Sequence, residues 1–318
     1  MTKIKLSCFY ILFMTLCFTP LTFAAFNDIG VGARPLGLGG AFVALADDSN
    51  APNYNAAGLA YIEEIQIGAT YAQRFSGLIT YNTIGGIMPL GSVGTLGANI
   101  GILTEDSDIY QEQTIRFSYG NTIFKQLGVG ANLKLFGITY DEDNEFVIEN
   151  PYFTQTSSSA LSFDVGLIAK PFNSLSIGIS VENLLPADMS VSDAHTDSVP
   201  QNIRAGLVYR LESIAEMSAQ GAVMSNLLKA SLGTIEVTSR NGEIFTRAGA
   251  EIWLNKAIAI RGGYGMKTGG NSATTLNLGG SAKIPIGSTA LQLDYGFQLL
   301  TGDLQDNTTQ RFSVNLLF

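Results

Sequence analysis

The side chains best suited to chemistry in this sequence are charged residues that stand alone between apolar ones, at alternate positions. In an extended strand, alternate side chains point to opposite faces, so these charges would share one face. Mixed signs favour ion pairs that fasten an internal segment, and a guanidinium can also bind a carboxylate ligand through two hydrogen bonds. The set comprises Arg116, Lys134, Asp164, Lys170, Glu182, Arg204, Arg210, Arg247, Glu251, Arg261, Lys283, Asp294 and Arg311. We single out as candidates for holding a ligand or anchoring such a segment Arg116, Arg204, Glu251 and Arg261.

Other polar clusters are weaker candidates for chemistry. His195 is the only histidine and lies in an acidic segment, where a solvated side chain is expected rather than a catalytic or metal-binding one. The acidic stretches 105–108 and 141–145 lack the glycine and terminal glutamate of a calcium-binding loop, which favours a solvated rim. The alternative is a set of calcium bridges to anionic lipid head groups. The sequence thus predicts no catalytic residue, no metal and no cofactor.

Strands must position these charges, and the alternation of apolar and polar residues predicts fourteen of them. The clearest strand closes the chain, where one face carries Phe312, Val314, Leu316 and Phe318. Eleven earlier stretches show the same alternation. Residues 78–89 and a strand near 229–239 alternate less regularly and complete the count.

The connections between these strands support the count, since tight gaps alternate with longer acidic ones. Outer-membrane barrels have this asymmetry of short turns at one end and longer loops at the other. The tight gaps are at 89–92, 171–174, 254–256 and 285–288, and the longer ones at 104–109, 141–159, 184–200, 265–273 and 301–309. Residues 212–228 break the rule, and we interpret them as a mobile turn or an extra partial hairpin.

A barrel in a lipid bilayer explains this pattern, because lipid contacts its outside while water or protein fills its inside. The alternative for many short strands is a soluble β-sandwich, whose outer faces would present polar residues to water. Mean hydropathy is +0.22, and the formal charge of −9 argues against nucleic acid as a partner. The sequence predicts an all-β, fourteen-stranded antiparallel transmembrane barrel in the outer membrane of a Gram-negative-type bacterium. Its expected partners are membrane lipid and the barrel-assembly machinery.

The first 25 residues have the layout of a secretory signal peptide, with lysines, an apolar run, and small residues at Ala24 and Ala25. The only two cysteines, Cys8 and Cys17, lie in this segment. A mature chain that begins near residue 25 or 26 therefore has neither disulfides nor thiol chemistry.

Residues 26–60 do not alternate, and they contain the stretches GARPLGLGGAFVALADD from Gly32 and YNAAGLA from Tyr54. These stretches resemble the plug segment of the FadL-like outer-membrane transporter superfamily, most closely its PorV/PorQ branch. The resemblance implies that residues 26–60 fold as a hatch inside a barrel formed by residues 61–318. The hatch motif comprises Gly37, Gly39, Gly40, Asp47, Asp48, Asn55 and Gly58. Ala56 stands where the superfamily has a proline, which leaves this part of the hatch less constrained.

Within the hatch, the glycines of 37–40 would let the backbone turn sharply and press against the barrel wall. Asp48 or Ser49 followed by Ala51-Pro52 predicts a short helix with the proline in its first turn. The alternative for this glycine-rich stretch is a flexible exported linker.

The resemblance implies a non-enzymatic function, the passive uptake of hydrophobic small molecules of fatty-acid or hydrocarbon type. In FadL-like proteins the ligand enters from an outer groove, shifts the hatch and leaves through the wall. The main alternative is a PorV-like component of type IX protein secretion, which would bind cargo proteins rather than conduct a ligand. A third alternative is a structural barrel with a sealed lumen.

Overall fold

The computed structural model of the protein describes residue 26 and the ranges 29–193, 196–212, 222–269, 272–302 and 308–318. The predicted signal peptide at 1–25 and His195 lie outside these residues. In the part of the chain that is described, no helix is long and apolar enough to cross a membrane.

Fourteen antiparallel strands of the described chain close into a barrel, as the sequence predicted. Closure is made by pairing of the first and last strands, with Gln66 opposite Leu317. The strands are β1 Gln66–Arg74, β2 Ile79–Pro89, β3 Thr95–Glu105, β4 Tyr110–Phe124, β5 Leu127–Tyr140, β6 Ser157–Phe172, β7 Leu175–Glu182, β8 Ala187–Asp188, β9 Ser198–Val199, β10 Asn202–Arg210, β11 Ser231–Arg240, β12 Glu243–Trp253, β13 Ile258–Thr268, β14 Ala273–Ile286, β15 Thr289–Gly302 and β16 Thr308–Leu317. Strands β8 and β9 form a separate two-stranded ribbon, and β7 pairs directly with β10.

The described helices are short: α1 Ala33–Gly37, α2 Glu145–Ile148 and α3 Ala222–Lys229. Helix α3 corrects one prediction, because the long connection between β10 and β11 contains a helix rather than an extra hairpin. The sequence AVMSNLLK has apolar residues at helical spacing, and no alternation that a strand would use.

The two ends of the barrel differ in their connections. One end, called here the turn end, carries the short connections 90–94, 125–126, 173–174, 254–257 and 287–288 together with the chain's last residue. It also carries the long connection 211–230, which includes α3. The opposite end, the loop end, carries the long connections 141–156 and 183–201 beside short ones at 75–78, 106–109 and 269–272. A two-residue hairpin at the loop end joins β11 to β12 through Asn241 and Gly242, whose φ angles are 50° and 75°. Two successive positive φ angles fit a two-residue hairpin turn, for which Asn-Gly is the preferred pair.

The barrel wall is apolar outside and polar inside, as the alternation predicted. In β16, Phe312 and Val314 are 50% and 45% exposed, whereas Arg311 and Ser313 are only 4% and 3% exposed. Every charged residue that the sequence assigned to the lumen lies on the inner face. A wall with this polarity cannot be stable in water, because its large outer surface is apolar.

The N-terminal segment lies inside the barrel, and the described residues of the predicted hatch, 26–60, are residue 26 and the range 29–60. Its apolar residues, among them Phe42, Val43 and Leu59, are fully buried and form one core with wall residues. The predicted short helix is present as a single 3-10 turn, Ala51–Asn53, with the proline near its start. A second 3-10 turn, Ala56–Tyr61, follows.

A ring of inward-facing glycines, called here the glycine belt, receives the hatch. At most of these positions an added side chain would overlap hatch atoms, and at Gly97 it would lie 3.3 Å from Pro52, so the wall packs closely against the hatch. The belt comprises Gly68, Gly97, Gly120, Gly128, Gly130, Gly166, Gly178, Gly206, Gly249, Gly263, Gly279 and Gly296. On the hatch side, Gly39 and Gly40 have φ angles of 69° and 83°, and Gly37 lies against Gly279. The hatch backbone thus turns sharply at Gly39 and Gly40 and lies close to the wall at Gly37.

The connection from β7 to β10 also folds inward at the loop end. Met189, beside β8, is fully buried against Phe136 and Ile138 on the inner face of β5. The ring of Phe26 packs in the same cluster, with its centroid 4.6 Å from that of Phe136. This connection narrows the lumen on the β4–β6 side.

Candidate functional site

Arg34 on α1 holds the two halves of the hatch together and fastens them to the wall. Its Nε and Nη2 donate hydrogen bonds of 2.8 and 2.9 Å to the two carboxylate oxygens of Glu251 in β12. Its Nη1 donates to Asp47 at 2.6 Å and to Asp48 at 2.8 Å. One guanidinium therefore joins α1, the 47–48 segment and the barrel wall.

Charges on the wall continue this network. Arg261 donates from Nε to Glu251 at 2.5 Å and from Nη1 to Asp294 at 3.3 Å. Asn315 donates to Asp294 at 3.0 Å and accepts a hydrogen bond of 2.6 Å from Ser49 of the hatch. Such alternation of opposite charges compensates the desolvation of each buried ion.

The network also determines the protonation of the hatch groups. Burial raises the pKa of the Asp48 carboxyl above its ordinary value, although the Arg34 guanidinium opposes that shift. Burial acts to lower the pKa of Arg34, but Asp47 and Glu251 outweigh it and hold this pKa well above its ordinary value. Arg34 is therefore a permanent cation at the centre of the hatch.

Glu236 of β11 is a second anchor, on the neighbouring part of the wall. Its Oε2 accepts hydrogen bonds of 2.9 Å from the backbone N–H groups of both Phe42 and Val43. Its Oε1 accepts from Arg204 at 3.0 Å and from Arg247 at 3.3 Å. Two arginines thus neutralise a fully buried carboxylate that holds the hatch backbone.

Asn55 fastens the hatch to the seam between β6 and β7. Its Nδ2 donates to the carbonyls of Val43 at 2.9 Å, Leu167 at 3.1 Å and Ile179 at 3.2 Å. Its Oδ1 accepts from the Ala57 N–H at 3.1 Å, which caps the following 3-10 turn. A single amide therefore satisfies carbonyls of the hatch and of two wall strands.

The structure places most predicted site residues at the contact between hatch and wall, whereas Asp48 and Gly58 contact other residues of the hatch. Glu251, Arg261 and Arg204 belong to the two anchors, and Arg116 donates 2.5 and 2.9 Å hydrogen bonds to Asn53 and Asn99. Of the hatch motif, Gly58 abuts the Ala46 carbonyl so closely that a side chain would overlap it.

Two central residues were missed from the sequence, Arg34 and Glu236. Glu236 alternates in phase with Thr234 and Thr238, which was a usable signal that it faces the lumen. Arg34 lies within the hatch stretch, where no strand period exists to assign its direction.

Two large cavities lie in the described lumen at the loop end, beside a smaller one of about 90 Å³ lined in part by Phe26 and Lys134. The first, called here the basic cavity, has a volume of about 580 Å³ and is bordered by the hatch at Leu36, Gly39 and Gly40. Among its described lining residues there is no Asp or Glu, and the cationic ones are Arg74, Arg204, Arg247, Lys267 and Arg311. The second, the acidic cavity, has a volume of about 680 Å³ and is lined by Glu105, Asp106 and Glu112 beside apolar side chains of β2 to β4.

The acidic stretches lie where the rim prediction put them. Asp106 and Ser107 are exposed at the β3–β4 connection, and residues 141–143 are exposed beyond β5. Within the described residues, no group of three or more His, Cys, Asp or Glu side chains is arranged to hold a metal ion.

Comparison with solved structures identifies the same architecture in outer-membrane channels. A FadL homologue from Pseudomonas aeruginosa superposes with a TM-score of 0.63 at 10% identity, over 93% of this chain and 99% of that one. The CymD monoaromatic hydrocarbon channel gives 0.60 at 11% identity, and the Ralstonia pickettii toluene transporter TbuX 0.57 at 11%. Each covers 92% of this chain and 98% of the other.

The fold is FadL-like. Identities this low establish the shared fold alone. Neither a family model nor a curated protein matches this chain.

Proposed function

We propose that this protein is an outer-membrane channel for passive uptake of hydrophobic small molecules, closed by its hatch. The observation that carries the proposal is the basic cavity, which lies inside an apolar-surfaced barrel directly against the docked hatch. A cavity of this size that combines apolar and a few convergent polar side chains is typical of small-molecule sites. The FadL-like fold supports the same class of function by analogy.

In this proposal the loop end faces the exterior and the turn end faces the periplasm. A ligand that reaches the basic cavity meets the hatch at Leu36, Gly39 and Gly40. The Arg34 and Glu236 anchors hold these segments against the wall. Onward passage therefore requires the hatch to leave the wall locally, and the anchors set the cost of that step.

The cations of the basic cavity favour a ligand with an acidic group. Arg247 and Lys267 line one side and Arg311 another, beside the apolar side chains of Phe245 and Leu300. Arg247 also pairs with Glu236 and Lys267 with Glu243 at 2.6 Å, so a ligand carboxylate would share these cations. A carboxylate hydrogen-bonded by a guanidinium or ammonium gains more than a neutral hydroxyl does. We therefore propose an alkyl or aryl carboxylate as the ligand class.

Native mass spectrometry on the purified mature protein tests both the channel function and the proposed ligand class. Extraction of the protein from its own membrane is expected to yield a co-purifying hydrophobic molecule, which is lost when residues 26–60 are deleted. In an equimolar mixture of dodecanoate and 1-dodecanol, bound carboxylate should exceed alcohol by about tenfold, the ratio that 1.4 kcal/mol supplies. Lys267→Met should reduce this preference, whereas Lys283→Met, a lumen-facing charge outside the cavity, should not.

The same experiment distinguishes the alternative, a PorV-like scaffold of type IX secretion. Capture of an exported protein by an otherwise empty barrel would support the scaffold. Retention of a neutral hydrocarbon with no preference for carboxylate would support the channel function and contradict the proposal that the ligand carries an acidic group.

A further inference from the structure

The loop-end lumen is divided by a small set of residues that belong to both cavities. The basic and acidic cavities share Ile29 of the hatch and Arg74 and Phe75 at the outer end of β1. On one side the lining charges are cationic, and on the other side Glu105, Asp106 and Glu112 are acidic. The shared residues are therefore the boundary between two chemically different spaces.

The backbone at this boundary is strained. Phe75, Ser76 and Gly77 form the 3-10 turn between β1 and β2, with φ angles of 50°, 57° and 103°. A left-handed conformation is unfavourable for a residue other than glycine, and it is uncommon for a bulky aromatic. Strain of this kind persists where the surrounding structure over-determines a side chain's position, often at ligand clamps.

The strained turn directs Phe75 toward the lumen instead of the apolar exterior. Phe75 is half-buried, and the Arg74 guanidinium lies over its ring, 4.9 Å from the centroid. This cation–π contact favours the position of both side chains. Residues Arg74 and Phe75 are called here the wedge.

We propose that the wedge determines which ligands the channel accepts, by limiting the length of the apolar part that fits in the basic cavity. This inference rests on the proposed function. The Phe75 ring closes the basic cavity toward the acidic one, and its face packs against the ligand's apolar end. An alkyl carboxylate whose chain is too long for the basic cavity has to displace the Phe75 ring before it can extend into the acidic cavity.

Competition among alkyl carboxylates tests the wedge. Native mass spectrometry of the full mature protein with an equimolar mixture of even-numbered saturated carboxylates, octanoate to octadecanoate, identifies each bound species by its mass. Wild-type protein should bind the shorter carboxylates, and the bound amount should fall sharply beyond a limiting chain length. Phe75→Gly removes the ring and relieves the strain, so it should fold and should bind members at least two carbons beyond the wild-type limit. Phe75→Tyr should keep the wild-type limit.

Ser76→Gly is the matched control, because it relieves strain in the same turn and leaves the ring in place. It should be unchanged in length preference. An identical profile for Phe75→Gly and wild type would overturn the wedge, and so would an equal shift in Ser76→Gly, which would assign the effect to backbone strain. If wild-type protein binds no member of the series, the proposed carboxylate function fails as well, and the two failures are thereby distinguished.

Discussion

Arg34 joins α1, residues 47–48 and the barrel wall, and its removal should release the hatch without unfolding the barrel. Arg34→Met leaves Glu251 with Arg261 and Asp47 with its 3.4 Å ion pair to Arg210, but it removes the guanidinium that joins Asp47 and Asp48 to Glu251. Breaking a buried ion pair in this way costs about 3 kcal/mol. Hydrogen exchange should show faster exchange over residues 33–48 and unchanged protection in the strands.

Lys283→Met is the control for that prediction, since it removes a lumen-facing charge near the turn end of β14. It should leave exchange in the hatch unaltered. Equal protection of the hatch in wild type and Arg34→Met would show that the ion pairs contribute little to docking.

Asn55 makes the second residue-scale prediction, because its amide group donates to three carbonyls. Asn55→Asp keeps the shape of the side chain but replaces the donor by a carboxylate oxygen that faces those carbonyls. We expect a loss of about 3 kcal/mol or more in hatch docking, because lone pairs then oppose one another in a buried site. Limited proteolysis within the 39–48 segment measures the loss, and the exposed Asn226→Asp on α3 should have no effect.

The sequence pattern could identify single functional residues only where they lie in a strand, because side chains there alternate between two faces. The charges that alternate along β4 to β16, such as Arg204 and Glu251, were placed correctly because the period of two fixes their direction. Arg34 has no such period around it. Its role depends on folding back beside Asp47 and on a wall residue more than two hundred positions away, which local patterns cannot encode.

At the scale of elements, the glycine belt makes docking of the hatch depend on the absence of side chains. Gly263→Ala puts a methyl group against Leu38 and Gly39 of the hatch, whereas the adjacent Gly262 has open space around it. Overpacking of this kind costs about 1–3 kcal/mol, while substitution at the open site should stay within about 0.5 kcal/mol. Proteolysis at increasing temperature measures release of the hatch. Release should occur at a lower temperature than in wild type for Gly263→Ala but not for Gly262→Ala.

The strands show where sequence patterns succeed and where packing overrides them. Twelve strands alternate cleanly because one face meets an apolar exterior and the other a polar lumen. In β2 and β11 the alternation weakens, because Ile87 and Leu232 point inward and join the apolar core of the hatch. The 212–228 connection departs from the short turn expected at this end of a barrel, because apolar residues at helical spacing form α3 there.

At the scale of the whole molecule, the loop-end connections carry an excess of negative charge, whereas the inner wall of the barrel carries an excess of positive charge. The acidic formal charge of −9 comes largely from connections at the loop end, such as 105–108 and 141–149. The inner wall itself is more basic than acidic. Its cationic residues are Arg74, Arg116, Lys134, Lys170, Arg204, Arg210, Arg240, Arg247, Arg261, Lys267, Lys283 and Arg311, and its acidic residues are Glu105, Glu112, Asp164, Glu182, Glu236, Glu243, Glu251 and Asp294.

The positive charge of the inner wall predicts how the barrel behaves without its hatch. All fourteen strand pairings lie within residues 66–317, so deletion of residues 26–60 should leave a closed barrel that still resists detergent unfolding. The lumen then becomes a water-filled pore. Because its wall carries excess positive charge, the pore should favour chloride over potassium despite the acidic net charge of the chain.

Planar-bilayer recording under a potassium chloride gradient measures both effects. The full mature chain should show little steady conductance, because the docked hatch fills the lumen, and the deleted form should conduct with a reversal potential of the sign expected for anions. Gly262→Ala in the full chain should remain closed like the parent. A cation-selective reversal potential would contradict the assignment of the charged residues to the lumen, and a closed deletion form would show that the loop-end connections alone can seal the barrel.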